Sequence, residues 1–97
     1  MSTLHVLSHS PFGDDRLRSC LRLLGSQDAL LLTGDAVYAL QPGTAPFTAL
    51  SERAPTLYVL AEDAQARALD IPANARAIDY PAFVELSLHY DKVNSWL

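Results

Sequence analysis

Asp28-Ala29-Leu30-Leu31-Leu32-Thr33-Gly34-Asp35-Ala36-Val37-Tyr38-Ala39-Leu40 is the stretch that decides the fold. Ala29–Leu32 is short and apolar without alternation, which suits a strand buried on both faces of a helix-covered parallel sheet. Thr33-Gly34-Asp35 breaks the run: Gly34 tolerates φ > 0, and the Asp35 side chain suits a helix cap. Ala36–Leu40 is apolar at every position and leaves no face for water. Either this domain folds over that turn or another chain does.

On either side the chain alternates between strand and helix signals. Thr3–Leu7 predicts a first strand, and Ser8–Gly13 a loop broken by Pro11 and Gly13. Asp14 and Asp15 stand where acids favour a helix start. Leu17, Cys20, Leu21 and Leu24 follow at i, i+3, i+4, i+7 as one apolar stripe. Gly25 is placed to end that helix in a left-handed cap. Ala45–Arg53 predicts a short helix, Thr56–Ala61 a third strand, and Glu62–Leu69 another small helix. Ala77–Tyr80 predicts a fourth strand, and Pro81 suits the first turn of a last helix. That helix carries apolar groups on two sides, Phe83, Val84 and Leu88 on one and Leu86 and Tyr90 on another. Asp91–Leu97 reads as a tail ending in Trp96 and Leu97, docked either on the domain itself or against a partner. The expected architecture is α/β, a three-layer sandwich with a mostly parallel sheet, in a single domain spanning residues 1–97.

Composition narrows the function classes. Hydrophobic residues make up 49% and charged ones 19%, a high apolar load for so small a domain, which favours an oligomer or a subunit of a complex. The net charge is −4, and of seven Lys and Arg only Arg16, Arg18 and Arg22 gather, which argues against direct nucleic-acid binding. Cys20 is the sole cysteine, so no internal disulfide forms. The sequence has no signal-peptide pattern and no stretch that reads as a membrane span, so the expected compartment is the cytoplasm.

Few residues suggest chemistry. Cys20 is the candidate nucleophile or sulfur carrier, helped by nearby arginines, but its place on the apolar stripe reads as a core side chain. His5 and His9 would stand roughly 13 Å apart on a continuous strand, too far to share a metal. Ser8-His9-Ser10 with Asp14 lacks a nucleophile elbow, and the glycines are isolated, so neither hydrolase nor phosphate-loop chemistry is expected. Glu62-Asp63 at a strand end suits helix-dipole complementation.

Several segments in order carry a resemblance. They are Leu4-His5-Val6-Leu7 with Ser10-Pro11-Phe12, Leu30-Leu31-Leu32 leading to Asp35–Ala39, and Leu57-Tyr58-Val59-Leu60 with Asp63 and Ala66-Arg67. Ile78-Asp79-Tyr80 with Phe83, Val84 and Leu86 follows, then Val93-Asn94-Ser95-Trp96-Leu97. Together they resemble the TusB/DsrH family. One departure is visible: members commonly read Asp-Gly-Val-Tyr-Ala, where this chain has Gly34-Asp35-Ala36-Val37-Tyr38-Ala39.

The resemblance implies a DsrE/DsrF/DsrH-like fold and a sulfurtransferase, or sulfur-relay, complex. Its partners would be TusC/DsrF-like and TusD/DsrE-like subunits in a heterohexamer, linked indirectly to a TusE/DsrC-like sulfur acceptor. In the Tus system the sulfur serves 2-thiolation of the tRNA wobble uridine; in the Dsr system it belongs to oxidative sulfur metabolism. The relay cysteine with the clearest role lies in the TusD/DsrE subunit. Some members have a cysteine where Cys20 lies and others lack it, which implies a mainly structural subunit. The alternative is a carrier in its own right through a Cys20 persulfide; a third reading is an orphan α/β binding protein. No cofactor and no metal are implied. Val37, Tyr38, Leu40, Leu86, Tyr90 and Trp96 are the interface candidates.

Overall fold

Ala29–Leu32, here β2, is buried at all four positions because it is the middle strand of a five-stranded sheet. The computed structural model describes residues 1–96. In chain order the elements are β1 (Thr3–Leu7), α1 (Arg16–Leu23), β2, a 3-10 helix (Gly34–Leu40), and α2 (Ala45–Arg53). Then come β3 (Thr56–Leu60), α3 (Ala61–Ala66), β4 (Ala75–Ile78), α4 (Tyr80–His89) and β5 (Lys92–Trp96). The strand order is β4-β3-β2-β1-β5, and every neighbouring pair is parallel.

Right-handed crossovers explain the layers. From β1 to β4 the chain steps one way across the sheet, and the intervening helices pack on one face. The return from β4 to β5 runs the other way and carries α4 to the opposite face. Leu30, Leu32, Leu57 and Val59 point into the first layer, against Leu17, Cys20, Leu21 and Leu50. Leu4, Ala29, Leu31 and Ile78 point into the second, where Val6 and Tyr58 of the sheet and Ala82, Phe83, Leu86 and Tyr90 of α4 and its end pack against them.

The apolar turn after β2 is covered by this chain itself. Ala36, Val37, Ala39 and Leu40 are all buried. A 3-10 helix aligns residues i and i+3, so Ala36 stacks with Ala39 and Val37 with Leu40 on the inward side. Gly34 takes φ +50°, as the turn requires, and its Cα lies so close to the Ser8 carbonyl that a Cβ would stand 3.2 Å from that oxygen. Asp35 is not the cap: Thr33 holds that position, and Asp35 pairs with Arg67 instead.

Four further expectations shift. Gly25 does not adopt the left-handed region; α1 ends at Leu24 in extended backbone. Its last carbonyls are met from outside the helix, Arg53 donating to Leu21 O at 3.1 Å and Leu24 O at 2.6 Å. α3 stops at Ala66, short of Leu69. β4 starts two residues earlier than predicted, because Asp79 serves as the N-cap of α4, accepting from the Ala82 N–H at 2.9 Å. The expected tail is an edge strand paired with β1, Leu4 opposite Val93 and Leu7 opposite Trp96. Leu97, the last residue of that tail, lies outside the described residues.

Candidate functional site

Cys20 comes from the middle of α1, and its stripe partners Leu17 and Leu21 press it onto the sheet. Its exposure is 0%. Desolvation pushes its thiol up to about 12, with the negative charge of Asp28 adding to the effect. The thiolate is the form that attacks or accepts sulfane sulfur, and this site disfavours it on both counts. Arg16 is engaged with Asp14 at the start of the helix, and Arg18 is exposed.

The interface candidates part company. Val37 and Leu40 lie within the core, so neither offers surface. Tyr38 is half-buried under the Arg67 guanidinium, 5.9 Å from the ring centroid, and Arg67 is held by two bonds to Asp35 at 2.9 and 3.1 Å. Leu86 and Tyr90 are half-buried against the second face of the sheet. Trp96 is half-buried at the edge of the first layer. The exposed apolar groups of α4 are others: Tyr80 at 51%, Val84 at 60% and Leu88 at 81%. Spaced by four, they form one stripe on the side turned away from the sheet. On the neighbouring edge strand Val93 is exposed as well.

A second constellation has no counterpart in any sequence motif. Asp28, just before β2, accepts from the Thr3 N–H at 2.9 Å and the Gly25 N–H at 2.9 Å. Its second oxygen also faces His5 Nε2 at 3.4 Å. The other ring nitrogen of His5, Nδ1, accepts from the Trp96 indole N–H at 3.1 Å. Three segments far apart in sequence thus meet on one buried imidazole. Asp28 is held below the usual carboxylate range, chiefly by the Gly25 N–H, then by Thr3 and His5. The available signal was the Gly25-Ser26-Gln27-Asp28 turn, whose aspartate suits closing a loop on its own backbone.

His5 and His9 do not share a metal site. His5 is taken up by Asp28 and Trp96, and His9 lies exposed beside the Ser8 hydroxyl. Among the described residues no group of three or more His, Cys, Asp or Glu side chains gathers to hold an ion. No described helix is long and apolar enough to cross a membrane.

The chain matches the family described as "DsrH like protein" over residues 9–93. It is 40% identical over 95 residues to "Protein TusB" of Erwinia tasmaniensis, covering 96% of this chain and 99% of that protein. It is 36% identical to "Protein TusB" of Yersinia enterocolitica and 37% identical to that of Yersinia pestis, with the same coverage. In fold it is similar to the crystal structure of the ychN protein from E. coli, with a TM-score of 0.76 at 19% identity, covering 99% of this chain and 100% of that one.

Proposed function

This chain belongs to the DsrH family, and from that premise we propose that it is a mainly structural subunit of a TusBCD-type sulfur-relay complex. In this reading residues 1–97 act as one domain in the cytoplasm, and the complex serves 2-thiolation of the tRNA wobble uridine. Its partners are TusC/DsrF-like and TusD/DsrE-like subunits in a heterohexamer, with a TusE/DsrC-like acceptor downstream. The Tus pathway is preferred over the Dsr one because the relatives at 36–40% identity are TusB proteins.

The observation that carries the structural role is the burial of Cys20. A relay thiol must meet a partner's persulfide, and this one is sealed beneath α1 with its thiolate disfavoured. The stripe Tyr80, Val84 and Leu88 supports a subunit role, being apolar surface that the fold itself leaves uncovered. The reading of Cys20 as a persulfide carrier requires α1 to lift from the sheet.

The test is wobble-uridine thiolation in a strain whose only copy of this subunit is Cys20→Ala at normal abundance. Retained thiolation with an intact complex is expected. Loss of the thiolated nucleoside with the complex still assembled overturns the structural role. Deletion of the whole subunit should abolish thiolation; if thiolation survives deletion, the Tus assignment is wrong.

A further inference from the structure

We propose that His5 is a pH-responsive fastener for the end of the edge strand β5, releasing Trp96 when its imidazole is protonated. The inference begins with donors and acceptors. An indole N–H donates and never accepts, so the 3.1 Å contact from Trp96 Nε1 requires a lone pair on His5 Nδ1. The ring proton then sits on Nε2, where it points at the Asp28 carboxylate 3.4 Å away. The folded arrangement therefore demands the neutral imidazole in one tautomer. His5 is buried, so water does not readily substitute for either partner.

Adding a proton can occur only at Nδ1. The new N–H then faces the indole N–H, donor against donor, and the bond that pins Trp96 is lost. Asp28 meanwhile gains attraction, because its carboxylate now faces a cation. Protonation thus strengthens the inner side of the array and breaks the outer one. The strain falls on β5, which among the described residues pairs with the sheet only through β1 and has no strand beyond it.

The neighbouring charges do not blunt this. From β2 the group opposite His5 is Leu30, and from β5 it is Asn94. Lys92, two positions earlier on β5, is exposed, and Asp91 is occupied by the Ser2 N–H. α1 brings Cys20, which stays neutral, and the exposed Arg18 and Arg22. Tyr90, after α4, feels Asp28 and remains a neutral phenol, its pKa raised mainly by desolvation.

Trp96 is the only tryptophan, so its emission reports the fastener directly. The full-length chain is titrated from about pH 8 to about pH 5 while tryptophan emission and far-UV circular dichroism are followed together. A reversible red shift with the dichroism unchanged is expected. In His5→Asn, whose amide oxygen can take the place of Nδ1 but does not titrate, the red shift should vanish. His9→Asn and His89→Asn, at exposed positions, should leave it in place. An emission maximum that does not move with pH overturns the proposal. So does a shift that persists in His5→Asn, or one that coincides with loss of dichroism. Should His5→Asn not fold, the indole N–H proton resonance of the native chain decides. It must lose its hydrogen-bonded shift as the His5 ring takes up its proton, and retention through that titration refutes the fastener.

Discussion

Asp28 places three donors on two oxygens, and that count governs how it can be replaced. Asparagine is not a conservative substitute, because its amide would turn N–H groups toward a backbone N–H or the His5 ring. We expect Asp28→Asn to cost on the order of 2 kcal/mol, measured by urea unfolding at neutral pH. The carboxyl is depressed in the folded chain, so its contribution is fully present above its unfolded value, near about pH 4, and fades as pH falls below it. Native stability should therefore decline on acidification more steeply than that of Asp28→Asn. Cys20 works in the opposite sense. Its folded value near 12 lies above the ordinary 9.0, so the folded state holds its proton longer than the unfolded one. Its contribution is intact below about pH 9 and is lost as pH rises toward 12, and Cys20→Ala should flatten that alkaline decline. Cys20→Ala itself should cost about 1 kcal/mol through lost packing. Cys20→Ser adds a hydroxyl that needs a partner in an apolar layer and should cost more. A thiol reagent at neutral pH should modify the native chain slowly and the urea-unfolded chain at once.

At the scale of elements, what could be read in the sequence followed the locality of the signal. β2 and the stripe of α1 were legible because burial on both faces and a period of 3.6 are written in consecutive residues. The Thr33-Gly34-Asp35 turn was legible for the same reason, and Gly34 does take positive φ. β5 was not, since Lys92-Val93-Asn94-Ser95-Trp96 has no alternating apolar face, and what holds it is one-sided pairing with β1, 89 residues away. The end of α1 failed for a related reason: Gly25 looked sufficient locally, whereas Arg53 from another helix meets the carbonyls. The His5–Asp28–Trp96 array joins residues that no sequence window contains together. α4 was legible as a helix greasy on two sides, but not which side faced inward. Packing on the second face of the sheet puts Leu86 inward, and Leu88 is exposed. Leu86→Ala should thus destabilise the fold by roughly 2 kcal/mol or more. Leu88→Lys should leave unfolding within about 0.5 kcal/mol of the parent. Comparable losses in the two variants would mean that α4 is rotated from the position described.

The whole molecule is lopsided, and its lopsidedness bears on assembly. One face of the sheet is roofed by α1, the 3-10 helix, α2 and α3, whereas the other, among the described residues, carries α4 alone. The thick layer buries its own apolar turn, so the all-apolar Ala36–Leu40 segment gives no reason to seek a partner. The reason lies on the thin side, where Tyr80, Val84 and Leu88 line the outer surface of α4. Three large apolar side chains in one stripe favour association, through a subunit that buries them or, failing that, through copies of the same chain. Expressed by itself, the chain should self-associate, and co-expression with the two sister subunits proposed for it should yield a defined soluble complex. Val84→Lys with Leu88→Lys should make the isolated chain monodisperse while leaving its unfolding midpoint nearly unchanged, and should weaken capture by the sisters. Light scattering and co-purification read both effects on the same preparations. A monodisperse parent chain that gains nothing from co-expression would count against the subunit reading. A double variant that still co-purifies in full would move the interface from α4 to another face.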